Sequence, residues 1–113
     1  KDFIIATNVS NFFNSVRSLW PNAWDKSNKQ SSLNKTIGLI ALFRVLRDIL
    51  SYMNERYDID STRVLSTDDY YQILDGGDLD ESKFMQLDAV SKSARIIYDM
   101  ITNNLALYDD EDE

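Results

Sequence analysis

Ser32 and Lys35 are three residues apart in Ser32-Leu33-Asn34-Lys35. At that spacing a lysine one turn after a serine can take its proton, as in serine acyl-transfer enzymes. Those enzymes also need a Ser-Asp-Asn and a Lys-Thr-Gly segment. Neither occurs here, and Lys35-Thr36-Ile37-Gly38 is not the latter. The pair is read as a helix cap followed by a solvated lysine. A second cluster, Asp75-Gly76-Gly77-Asp78-Leu79-Asp80-Glu81, sets four carboxylates around two glycines. Calcium favours oxygen ligands on such a loop. Counted from Asp78, however, the position that needs glycine is Lys83 and the twelfth is Ala89, so no calcium-loop register fits. Helix end, turn and next cap explain the same residues.

The chain has no His and no Cys. That removes imidazole bases, thiolate nucleophiles and the commonest transition-metal ligands together. Nineteen Asp and Glu remain, too many for the sequence to single out an acid–base pair. Asp48 comes nearest, but it follows Arg47 and lies four residues after Arg44, as expected of a surface ion pair. No glycine-rich phosphate loop is present. The expectation is a chain that is not an enzyme, with no catalytic residue, metal site or cofactor.

Two constellations point to binding. Arg17, Lys26, Lys29, Lys35, Arg44 and Arg47 lie within thirty-one residues, with Trp24 among them. Clustered cations meet phosphates and aromatics stack on bases, so this segment is the candidate for nucleic acid. The net charge of −7 argues against it, because such modules are usually basic throughout. The other set is Trp20, Trp24, Tyr70 and Tyr71, aromatics of the kind favoured at protein interfaces. Phe12, Phe13, Trp20, Trp24 and Phe43 are read mainly as core.

These residues need helices to position them. Phe12, Phe13, Val16, Leu19 and Trp20 recur at three- and four-residue steps, predicting a helix from about Val9 that Pro21 stops. Whether residues 3–6 join it is open at this stage. Residues 25–32 read as an exposed polar loop. The strongest pattern predicts a helix over about 33–55, with Leu33, Ile37, Ile40, Phe43 or Leu42, Leu46, Ile49 or Leu50 and Met53 on its stripe and Ser31 or Ser32 as its cap. Leu39, Ala41 and Val45 widen the stripe, which predicts a central helix. Gly38 suggests close approach of a neighbour such as a tryptophan. After a connector at 57–65, Ser66 opens a short helix over about 67–75, with Asp68 and Asp69 in its first turn. Asp80 or Ser82 then caps a last long helix over about 81–107.

The fold expected is therefore all-α, an irregular bundle of about four helices, two of them long. Residues 1–108 form one domain and 109–113 an acidic tail. Scarce Gly (3) and Pro (1) agree with long helices. The start, Lys-Asp-Phe, suggests a piece of a larger protein. No apolar run is long enough to span a membrane, and a cytoplasmic location is expected. Residues 1–56 carry eight Lys/Arg against four Asp/Glu, a charge of +4, whereas 57–113 carry four against fifteen, a charge of −11. The expectation is that the two halves neutralise each other in the folded domain.

Trp20-Pro21-x-x-Trp24, a polar loop and then Ser32-Leu33-x-Lys35-Thr36-Ile37-Gly38-Leu39-Ile40-Ala41-Leu42-Phe43 resemble the C-terminal region of DGQHR-domain proteins. These are bacterial proteins tied to DNA-modification gene clusters. The resemblance covers residues 10–55 and implies a helical C-terminal piece of such a protein. The family's naming motif is absent, so no functional residue carries over. Taken together, the sequence is read as a helical interaction or oligomerisation module of a larger bacterial protein. Its partner is a protein, a neighbouring domain or a second copy, contacted through the first helix, the tryptophan pair and the acidic last helix. The alternative is a nucleic-acid accessory domain.

Overall fold

The computed structural model describes residues 2–57 and 64–107; the acidic tail at 109–113 and most of the 57–65 connector lie outside the described residues. Helix α1 spans Asp2–Leu19, α2 Pro21–Trp24, α3 Thr36–Tyr57, α4 Thr67–Leu74 and α5 Ser93–Thr102, with a 3₁₀ helix at Glu81–Gln86 between the last two. No strand occurs among the described residues. The all-α expectation holds, and residues 3–6 belong to α1.

Pro21 both ends α1 and begins α2. Its ring pushes Trp20 out of the helical region, to φ −129° and ψ 65°. Its missing N–H costs nothing at a first helical position. α1 then lies against α4, α3 lies against α5, and α2 bridges α1 and the 3₁₀ helix. The core between them holds Phe12, Val16 and Trp20 from α1, Leu42, Val45 and Ile49 from α3, Tyr70 and Leu74 from α4, Phe84, and Ile97 and Ile101 from α5.

The capping of α4 follows the sequence reading. Ser66 Oγ accepts from the Asp69 N–H at 3.0 Å, and the Asp69 carboxylate accepts from the Ser66 N–H at 2.9 Å. Each satisfies an amide that the helix leaves unpaired. Gly76 follows just after the helix because a β-carbon there would overlap the Asn104 carbonyl. That close approach lets the Ala106 N–H donate to the Ile73 carbonyl at 2.8 Å.

The long last helix does not form. Residues 81–86 make a 3₁₀ helix capped by Asp80, Leu87 is extended, and the α-helix runs only over Ser93–Thr102. The reason is tertiary. The Phe84 carbonyl, which a continuous helix would offer to the Asp88 N–H, accepts instead from Ser32 N (3.0 Å) and Ser32 Oγ (2.7 Å). Phe84 itself packs edge-on against Trp20, with ring centroids 5.3 Å apart. Ser93 Oγ then donates to the Asp88 carbonyl at 2.6 Å and fixes the bend. Past Thr102, Leu107 turns back into the core and its carbonyl accepts from Tyr52 Oη at 2.8 Å.

The start of α3 also differs. The helix begins at Thr36, and Ser31 does not cap it. Ser31 Oγ accepts from the Leu33 N–H at 3.1 Å and donates to the Ala23 carbonyl at 2.6 Å, within a tight turn. Ser31, Ser32 and Leu33 are buried, so the end of the expected exposed loop is core. The neighbour that Gly38 admits is the Leu33 carbonyl of that turn, not a tryptophan.

Candidate functional site

The residues expected on α3's buried stripe are not all buried. Its core face is Ala41, Leu42, Val45, Leu46 and Ile49, whereas Leu39 is 41% exposed, Ile40 41% and Phe43 45%. A helix apolar all round needs cover on every side. α5 covers one side of α3, and the opposite arc faces outward. Leu39 and Phe43 are one turn apart on that arc, as are Ile40 with Arg44 and Phe43 with Arg47.

Aromatic contacts extend this arc. The Phe43 ring meets Phe13 of α1 at 5.2 Å, and Phe13 stacks on Trp24 of α2 at 5.5 Å. Trp24, Lys26, Asn34, Lys35, Thr36 and Leu39 line an open cavity of about 270 Å³ beside them. That is below the size of pockets that enclose an organic ligand, ~300–1,000 Å³, and Leu39 of the exposed arc is one of its walls. The shape is that of a shallow, open groove.

A folded loop holds the groove's wall. Asn34 Nδ2 donates to the carbonyls of Asp25 (2.6 Å) and Asn28 (2.9 Å). Lys35 Nζ donates to the carbonyls of Ser31 (2.9 Å) and Lys29 (3.4 Å) and to Asn34 Oδ1 (3.1 Å). The Asp25 carboxylate accepts from the Ser27 N–H and hydroxyl, and these bonds hold its pKa below the usual carboxylate range. The wall is also tied to the rest of the chain. Trp20 offers no side-chain cap to α2, and the Glu81 carboxylate supplies it, accepting from Asn22 N and Ala23 N at 2.9 Å each. Nothing local in sequence announces a cap that arrives from fifty-eight residues away.

The structure divides the expected site residues. Trp20 is 2% exposed and Tyr70 is fully buried, so neither presents a surface to a partner, which corrects that expectation. Trp24 stays half-buried at the groove, and Tyr71, half-buried on α4, does not line it. Of the six cations, Lys26 and Lys35 line the groove and Arg44 and Arg47 share the exposed arc of α3. Arg17 is exposed on α1, where it donates to Asn14 Oδ1 at 3.3 Å. Lys29 lies with Lys35 on a separate polar cavity of about 440 Å³ bordered by Met85 and Asp88. Arg44 and Arg47 do not pair with α5. Arg47 meets Asp48 on its own helix at 3.3 Å, and Asp48 also accepts from Tyr98 Oη. Ser32 is buried with its hydroxyl donated to Phe84, so the Ser32–Lys35 spacing builds no nucleophile.

Among the described residues no group of three or more Asp or Glu converges as metal ligands, and no helix is long and apolar enough to cross a membrane. No family model, curated protein or solved structure matches the chain.

Proposed function

We propose that this chain is a helical interaction module of a larger protein, and that it works by docking rather than by chemistry. The observation that carries the reading is the uncovered apolar arc Leu39–Ile40–Phe43, continuous with Phe13 and Trp24. Contiguous exposed apolar surface of this kind marks interaction sites. The resemblance to DGQHR-domain proteins supports placing the parent protein in a DNA-modification setting. A photo-crosslinking residue at position 43 of the parent protein, in the cells that make it, tests the reading. A discrete protein adduct is expected. An uncrosslinked chain, with a residue at the exposed position Ser51 as control, overturns it.

The second reading, nucleic-acid binding, is favoured by Arg44 and Arg47 lying on the same arc as the exposed Phe43 ring. It is weakened by Lys35, whose ammonium is already held by three oxygens. A mobility-shift titration at low salt decides it, and no shift there ends it.

A further inference from the structure

The groove's borders say what chemistry its occupant must have. Lys26 and Lys35 line it, and Arg44 and Arg47 follow on the same exposed arc of α3. Arg44 makes no ion pair among the described residues, and Arg47 reaches only its sequence neighbour Asp48. Asp25, between Trp24 and Lys26 in sequence, does not line the groove, and its carboxylate accepts from Ser27. The face therefore combines three apolar side chains and a tryptophan with a cationic border, on a molecule whose net charge is −7.

A second copy does not suit this face. A two-fold contact sets this patch against the same patch of the other copy, whose nearby carboxylates, Asp25 and Asp48, are already engaged, so Arg44 and Arg47 would gain no acidic partner. Like charges across an interface cost affinity and slow encounter. The exposed apolar positions 39, 40 and 43 follow helical spacing, so a helix laid along α3 can match them with its own i, i+3 and i+4 side chains.

Resting on the docking reading above, we propose that the Trp24–Arg47 face seats an amphipathic helix of a partner protein whose apolar stripe is bordered by Asp and Glu. The apolar stripe fills the groove over Leu39 and Phe43, and the flanking carboxylates meet Arg44, Arg47 and Lys26.

Two helical peptides with identical leucine spacing test this, one carrying Glu and the other Lys at the flanking positions. Binding to the whole chain is followed by amide chemical shifts and Trp fluorescence. The Glu peptide should perturb residues 39–47 and Trp24 and bind about tenfold more tightly than the Lys peptide, since a few exposed ion pairs together approach that factor. Added salt should narrow the gap. Phe43→Asp should abolish binding. Arg44→Glu with Arg47→Glu, both fully surface changes, should reverse the preference between the peptides. Equal affinities, no binding by either peptide, or shifts located away from α3 would overturn the assignment. So would a single-stranded oligonucleotide that binds the same face more tightly, or concentration-dependent dimerisation abolished by Phe43→Asp. Failure here alongside a protein adduct at position 43 rejects only the acidic-helix occupant. Absence of that adduct rejects the docking reading itself.

Discussion

Asn8 is buried on α1 and its side-chain oxygen accepts twice, from the Leu65 N–H at 3.0 Å and from Tyr70 Oη at 2.8 Å. Asn11, one turn on, donates to the Leu65 carbonyl at 2.9 Å. Two asparagines thus clamp the strand of chain that leads into α4, and no buried side-chain polar atom among the described residues lacks a partner. Removing one partner leaves the others desolvated and unpaired. Asn8→Ala should therefore cost roughly 2–4 kcal/mol in denaturant unfolding, and Tyr70→Phe only about 1 kcal/mol. Equal losses would show that Asn8 is not the hub. Burial raises the Tyr70 phenol pKa, with Asp69 adding to the effect, and Tyr98 is raised chiefly by its bond to Asp48. Above about pH 10 the unfolded tyrosines lose protons that the native ones keep, so the native state binds more protons and stability falls as pH rises. Tyr70→Phe should flatten that alkaline decline. An unchanged slope would mean that the Tyr70 phenol titrates normally.

At the scale of elements, local signals were legible and tertiary ones were not. Ser66 spelled out the start of α4, Pro21 spelled out a stop, and the periodicity of α1 and α3 located both helices. The break in the last helix was invisible because it depends on Ser32 claiming the Phe84 carbonyl from across the chain. The groove was half legible. Trp24, Lys26, Lys35, Arg44 and Arg47 were singled out, but Leu39, Ile40 and Phe43 read as core. Periodicity cannot distinguish an apolar face that is covered from one awaiting cover. Gly38 gives a sharp test of the same tension. Alanine is favoured over glycine by about 1 kcal/mol in a helix interior. A β-carbon at position 38, however, would overlap the Leu33 backbone. Gly38→Ala should lower the melting temperature, and a rise would mean that the turn before α3 yields freely.

For the molecule as a whole, the main non-local helix contacts join the cationic half of the chain to the acidic half: α1 to α4, α3 to α5, and α2 to the 3₁₀ helix, while the Phe13–Phe43 ring contact links α1 to α3 within the first half. Among the described residues the ion pairs Arg47–Asp48 and Arg95–Asp99 are local to their helices. A diffuse attraction between the oppositely charged halves is therefore a prediction to be tested, while caps such as Glu81 on α2 supply directed contacts. Such an arrangement predicts that residues 1–57 and 58–113 are each poorly structured as separate peptides and regain helical circular dichroism when mixed. Mixing should be less effective at high salt, and a helical, cooperatively melting first half on its own would count against the prediction.

The crossed order of those pairings also bears on time. α1 finds α4, and α3 finds α5, only after long stretches of chain have been looped back, and loop closure must be met before any of those contacts is gained. Helical proteins built from neighbours in sequence fold in microseconds to milliseconds, and non-local pairing slows the search. During synthesis α1 to α3 would therefore emerge with Trp20 and Trp24 exposed, and the core would close only once α4 and α5 had followed.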